Sequence, residues 1–141
     1  MEELFVYALL YSIGYSRYDE YQLVLDKLFL NDPSNEELLN LEGMKYKDAM
    51  LHLFSLMQTS TIDQDKFGSL LMSILKSVYQ ERDIRDFGRK MYKLWQMLPS
   101  SMNEKEPFFT FSYADDCLSY GDEKQCRALY ENAFNYYENE Q

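Results

Sequence analysis

His52 is the one histidine in the chain, and at helical spacing Asp48 lies four residues before it and Ser55 three after. A carboxylate and a hydroxyl at those offsets share a helix face with the imidazole, an arrangement that could orient it as a general base. His52 stands beside the apolar stripe of its segment rather than within it, so a solvated or locally hydrogen-bonded residue is the plainer expectation. A single histidine leaves no second ligand for a helical H-E-x-x-H zinc site and no spare parts for a Ser-His-Asp triad. Asp115 and Asp116 stand next to Cys117, but neighbouring residues on a helix point about 100° apart. The two acids therefore do not clasp one ion, and charge at a helix start is their expected role. Cys117 and Cys126 flank the turn at Gly121-Asp122. A helical hairpin could bring them together as a disulfide or thiol pair, and small residues packed between helices explain them more simply. The chain has no Gly-rich phosphate loop and no dinucleotide fingerprint. The expectation is a protein that is not an enzyme, with no catalytic residue, cofactor or metal.

Two charged surfaces remain. Arg82, Arg85, Arg89 and Lys93 follow one another by three, four and four residues, opposite Ile84, Phe87 and Leu94. Such a stripe could hold RNA, phosphate or an acidic segment. Asp86 stands inside it, and Glu81 and Asp83 flank it, so a solvated, partly self-paired face is the competing reading. The other surface joins acids to tyrosines. It comprises Asp122, Glu123, Tyr130, Glu131, Tyr136, Tyr137, Glu138 and Glu140 near the carboxyl end, with Tyr15, Tyr18, Asp19 and Glu20 near the amino end. Carboxylates steer a basic partner, and rigid tyrosines bury area at low entropic cost. The alternative is that the tyrosines pack in the core with wet hydroxyls while the charge keeps the protein soluble.

The bulk numbers set the frame for these surfaces. A chain of 141 residues with 46% hydrophobic and 27% charged side chains can bury a core, which excludes global disorder. Five glycines and three prolines are too few for a turn-rich, many-stranded architecture. Net charge is −10, which repels nucleic acid phosphates and anionic membranes and attracts basic proteins. The charge is uneven: −7 over residues 1–43, +3 over 44–98 and −6 over 99–141. The longest strongly apolar run, Leu4 to Tyr11, is eight residues, where a membrane span needs about 20. No basic segment precedes that run, so it does not read as a secretory leader. With only two cysteines, a reducing cytoplasm is the expected compartment.

Helical periodicity runs almost throughout and predicts an all-α protein. Residues 2–13 read as a buried central helix stopping near Gly14. Ser16 with Asp19 is a capping pair before a helix carrying Tyr18, Tyr21, Val24, Leu25 and Leu28, which Asn31-Asp32-Pro33 ends. Ser34 with Glu37 forms a capping box for Leu38, Leu39 and Leu41. Residues 44–58 follow, then 62–80 after a start at Thr59-Ser60-Thr61. Ile84, Phe87, Met91, Leu94, Trp95 and Leu98 share one arc of a helix that Pro99 ends. Residues 99–107 read as a loop. Phe109, Phe111 and Tyr113 alternate, compatible with a short strand, before Asp122 caps a last helix. The sum is six or seven helices in antiparallel hairpins, one domain over 1–141, compact or a short solenoid, with the loop ahead of a C-terminal hairpin.

Tyr18-Asp19-Glu20 followed by Lys27 and Asp32-Pro33 resembles the second helix of a tetratricopeptide repeat and the proline that closes it. Gly121-Asp122 with Cys126, Leu129, Tyr130 and Ala133 is similar to the turn glycine, small residue, aromatic and alanine of the same family. Tyr21 and Leu28 stand where that family prefers alanine, the like positions do not recur at its period, and the resemblance covers about a third of the chain. It implies stacked helical hairpins and peptide or protein binding rather than catalysis. The leading expectation is an acidic binding domain that blocks a basic protein, in character similar to small immunity or antitoxin-type inhibitors of basic toxins and nucleases. A peptide-binding adaptor and an RNA- or phosphate-binding protein are the alternatives.

Overall fold

The first amides of a helix have no partner inside it, and this chain supplies acceptors at several of its starts. A computed structural model describes residues 1–80 and 82–139 and shows an all-α protein, with no strand among the described residues. The α-helices are α1 Glu2–Ser12, α2 Tyr18–Asn31, α3 Glu36–Glu42, α4 Tyr46–Thr59, α5 Gln64–Tyr79, α6 Ile84–Met97, α7 Ser100–Asn103, α8 Glu123–Phe134 and α9 Tyr136–Asn139. Two 3₁₀ segments, Phe108–Ser112 and Ala114–Tyr120, lie between α7 and α8. The expected six or seven helices correspond to the longer elements. The four-residue turns α7 and α9 are too short for an apolar stripe to repeat.

Three helix starts differ from expectation by one to four residues. Asn35, not Ser34, caps α3, its Oδ1 accepting the Leu38 N–H at 3.1 Å. In α2, Glu20 reaches back to accept the Arg17 N–H at 3.1 Å, so Ser16 and Asp19 form no cap. The run Thr59-Ser60-Thr61 does not open α5; Asp63 does, accepting the Lys66 N–H at 3.1 Å. At α3 and α5 several cap-forming residues lie close together, and the one used sits in extended backbone immediately before the first helical residue. Asp122 caps α8 as expected, accepting the Gln125 N–H at 3.0 Å. Gly14 and Gly121 take φ of 85° and 81°, the left-handed region open to glycine, where α1 and the second 3₁₀ segment end.

The stretch 99–107 holds a helical turn rather than a plain loop, and the Trp95 indole donates to the Asn103 carbonyl at 2.6 Å. The alternating aromatics beyond it are 3₁₀ and not a strand. In a 3₁₀ turn, residues three apart eclipse, so Phe108 and Phe111 are both buried while Phe109 is 41% exposed.

The chain forms two compact units, Met1–Ile62 and Asp63–Gln141. In the first, α1 packs on α2 and α4, and α3 packs on α2. Leu4, Phe5, Val6, Ala8, Leu9 and Leu10 of α1 are buried, which explains why that segment is apolar all round. In the second, α6 buries Ile84, Phe87, Met91 and Leu94 and lies against both 3₁₀ segments, while α5 packs on α8 and α9. The centre of the second unit is aromatic. Phe87 and Tyr130 meet edge-on at 5.1 Å, and Tyr79 meets Phe134 edge-on at 5.2 Å. Such pairs add about 0.5–1.5 kcal/mol each beyond the area they bury.

Candidate protein-binding surface

Gln22 and Asp26 stand four apart on α2, a spacing that brings side chains together on one face. The Gln22 amide donates to Asp26 Oδ1 at 3.0 Å and, across the hairpin, to Glu42 Oε2 at the end of α3 at 3.1 Å. Asp26 and Glu42 are half-buried, and among the described residues neither meets a cationic side chain. The Glu42 carboxyl is pushed up to about 7, first by burial and then by its hydrogen bond to Asp26 and that group's charge, against the lowering effect of Gln22. Its second oxygen, Oε1, is buried with no hydrogen-bond partner.

Four tyrosines lie alongside. The ring of Tyr18 is 5.3 Å from Tyr11, 5.4 Å from Tyr21 and 6.1 Å from Tyr46. Tyr21 is fully buried and its hydroxyl has no hydrogen-bond partner among the described residues. Burial, then Tyr18 and then the Glu42 charge raise its pKa, so the phenol stays neutral. Tyr18 is raised in the same direction by burial, Tyr11 and Glu42. Beyond Tyr11 and Tyr46 a groove of about 570 Å³ is lined also by Ser12, Lys47, Met50 and Leu51. Tyr46 and Leu51 are exposed at its edge, and Leu23, Leu30 and Leu39 are exposed on α2 and α3. This first unit carries ten acids against four bases.

The residues expected to form the acidic, tyrosine-bearing face are divided between the two units. Tyr18 and Glu20 are half-buried and Asp19 is exposed. In the second unit, Tyr130 is fully buried, which corrects its assignment to a partner-facing surface. Its ring belongs to the aromatic core because the periodicity of α8 points it at Phe87. Asp122 serves as a helix cap, Glu123 pairs with Arg127 at 3.0 Å, and Glu138 pairs with Lys76 at 3.4 Å. Tyr136 and Tyr137 are half-buried, and Glu131 is exposed. The carboxylates here are thus partly neutralised from within, whereas Asp19, Asp26 and Glu42 of the first unit meet no cationic side chain among the described residues. Glu140 lies outside the described residues.

The basic stripe is exposed at Arg82, Arg85, Arg89 and Lys93, but Arg82 precedes α6 and is not on the helix. Arg89 pairs with Asp86 at 3.5 Å, and Lys90 also approaches Asp86, at 3.7 Å. Arg85 and Arg89 line a cleft of about 230 Å³ with Asp115, Leu118 and Ser119. The Asp115 carboxylate in its wall opposes an anionic guest. Glu81 lies outside the described residues.

His52 meets Glu37 of α3, Nε2 to Oε1, a pairing between helices that helical spacing alone does not reveal. Cys117 and Cys126 are both free and buried, so they form no disulfide. Burial, with the Cys117 and Asp115 charges behind it, pushes the Cys126 thiol up to about 11. Among the described residues no three His, Cys, Asp or Glu side chains gather where they could hold a metal, and no helix is long and apolar enough to cross a membrane. Comparison with known proteins finds no matching family model, no similar curated protein and no similar solved structure.

Gln22, Asp26, Glu42, Tyr11 and Tyr46 are site residues that sequence reasoning did not single out. The local signal was the Gln22–Asp26 spacing. Glu42 joins them only through the α2–α3 hairpin.

Proposed function

We propose that this chain is a non-enzymatic, acidic protein-binding domain whose partner is a basic protein, most concretely an inhibitor of the immunity or antitoxin type. Such an inhibitor occupies the nucleic-acid cleft of a toxin or nuclease and presents carboxylates where phosphates would lie. The observation that carries this reading is a set of three carboxylates on α2 and α3, Asp19, Asp26 and Glu42, that have no cationic partner among the described residues. Exposed Leu23, Leu30 and Leu39 lie on the same two helices. Interfaces of this kind combine steering charge with buried apolar anchors. Two free, buried cysteines favour a reducing compartment, the cytoplasm, as the place of action. The tyrosine-edged groove favours a second reading, a peptide adaptor of tetratricopeptide-like kind.

The test uses the full chain as bait, with captured proteins eluted by rising salt and the purified partner assayed for its own activity. The inhibitor reading expects one basic protein, retained stoichiometrically, released steeply with salt and blocked in its nuclease or toxin activity by one equivalent of this chain. Neutral partners released together without salt dependence, or a basic partner left fully active, would overturn it in favour of the adaptor.

A further inference from the structure

The geometry points to a small-ligand site in the first unit, between α1 and α4, that takes an aromatic monocarboxylate. It goes beyond the inhibitor reading, whose carboxylates and exposed leucines lie on α2 and α3. The groove there measures about 570 Å³, a size that suits a small organic molecule. Tyr46, Lys47, Met50 and Leu51 fall on one face of α4 by their spacing, and Tyr11 and Ser12 of α1 close the other side.

The walls of the groove are aromatic and already assembled. The Tyr11 and Tyr46 rings lie 6.4 Å apart, tilted by 33°, and Tyr18 backs both, at 5.3 and 6.1 Å. Rings that hold one another in this way lose little freedom when a ligand arrives. Met50 is buried and forms the floor, while Leu51 stands exposed at the rim. A methionine thioether adapts its shape and makes favourable contacts with an aromatic ring. A flat aromatic body therefore finds matching surface on two sides.

One charge lines the groove, the Lys47 ammonium, and the other lining residues are neutral. Lys47 is exposed and has no carboxylate partner among the described residues. Asp48 follows it in sequence, is turned about 100° round the helix and does not line the groove. The clefts that hold Lys76 and Arg85 differ, because each carries an acid, Glu131 or Asp115, in its own wall. Those acids repel an anion where the cation would draw it. Ser12 commits its hydroxyl proton to the Ala8 carbonyl at 2.9 Å, which leaves the ammonium as the charged anchor. One lysine balances one negative charge, whereas a phosphate dianion calls for several donors.

The full chain carrying ¹³C-methyl methionine and leucine, titrated with naphthoate at neutral pH and observed by NMR, tests this. Expected are saturable shifts at the Met50 and Leu51 methyls, with none at Leu23, Leu30 or Leu39, which are exposed on α2 and α3. Affinity should fall about fivefold in Lys47→Gln, the worth of a well-placed exposed ion pair. Leu51→Ser should lose a similar factor through apolar contact. Both side chains are exposed, so neither change disturbs the core. Naphthamide keeps the shape without the charge, and should bind more weakly than naphthoate to the wild type and equally to Lys47→Gln. Shifts that grow linearly, that appear equally at Leu23, Leu30 and Leu39, or that persist undiminished in both variants overturn the site. Naphthamide binding the wild type as well as naphthoate overturns the carboxylate. A peptide ending in a phenylalanine carboxylate that saturates Met50 and Leu51 at about tenfold lower concentration than naphthoate overturns the small-ligand assignment in favour of the adaptor. Failure of this titration leaves the inhibitor reading untouched, since that reading stands or falls on capture of a basic protein.

Discussion

The ring of Tyr137 on α9 fills the space into which a side chain at Gly68 of α5 would project, and its hydroxyl approaches the Gln64 carbonyl one turn earlier at 3.5 Å. Glycine inside a helix ordinarily costs about 1 kcal/mol relative to alanine. Here the missing methyl is what seats the C-terminal turn. Gly68→Ala is expected to be neutral or destabilising in the native chain because Tyr137 must leave. In a Tyr137→Ala background the same change should stabilise by about 0.5–1 kcal/mol. Urea unfolding of the four proteins of this cycle gives the coupling directly. A gain of equal size in both backgrounds would show that Tyr137 does not hold that seat.

Glu42 yields a pH dependence of definite sign. Its pKa lies at about 7 in the folded protein against an ordinary 4.5, so between those values the native state binds more protons than the unfolded one. Stability then falls as pH rises across this window. The contribution is complete below about 4.5 and lost above about 7. Asp115, raised by burial and by Asp116, adds a fall of the same sign. Unfolding free energies measured from pH 4.5 to 7.5 should therefore decline, and Glu42→Gln should flatten most of the decline. A curve in Glu42→Gln as steep as that of the wild type would place the titration elsewhere.

The helices were legible in the sequence wherever one face alone is apolar. Ile84, Phe87, Met91, Leu94 and Leu98 are all buried, because a 14-residue helix against a flat core must repeat its contacts at helical spacing. Helix starts were less legible. Ser34 and Asn35 have equal capping chemistry, and only the backbone entry angle chooses between them. Phe109, Phe111 and Tyr113 suggested a strand because a two-residue alternation and a 3₁₀ repeat overlap over so few residues. The site was least legible. Asp26 and Glu42 are sixteen residues apart on different helices, and neither position differs from an ordinary surface acid until the hairpin closes.

The two cysteines should be inert in the folded protein. Both are buried, and the Cys126 thiol titrates at about 11, leaving almost no thiolate at pH 8. Because the thiolate is the nucleophile, iodoacetamide should modify neither residue in the native state and both once the protein is unfolded in urea. Rapid native alkylation of Cys126 would mean that α8 opens locally or that the thiol is not shielded as its surroundings imply.

Tyr130 and Glu131 are chain neighbours on α8 with opposite surroundings, and substitution should separate them sharply. Tyr130 is fully buried and its ring lies 5.1 Å from Phe87, 6.2 Å from Phe111 and 6.3 Å from Tyr79. Truncation to alanine removes a large aromatic from a core that can only partly collapse, at a cost of about 3–5 kcal/mol. Tyr130→Phe keeps the ring contacts and should cost far less. Glu131 is exposed, so Glu131→Gln should change stability by about 0.5 kcal/mol at most. If instead Tyr130→Ala unfolds in urea at the wild-type midpoint while partner capture is lost, the tyrosine belongs to the interface and the aromatic core does not depend on it. The expected order of stability is wild type and Glu131→Gln together, then Tyr130→Phe, then Tyr130→Ala, because ring volume rather than charge is what α8 contributes at this turn.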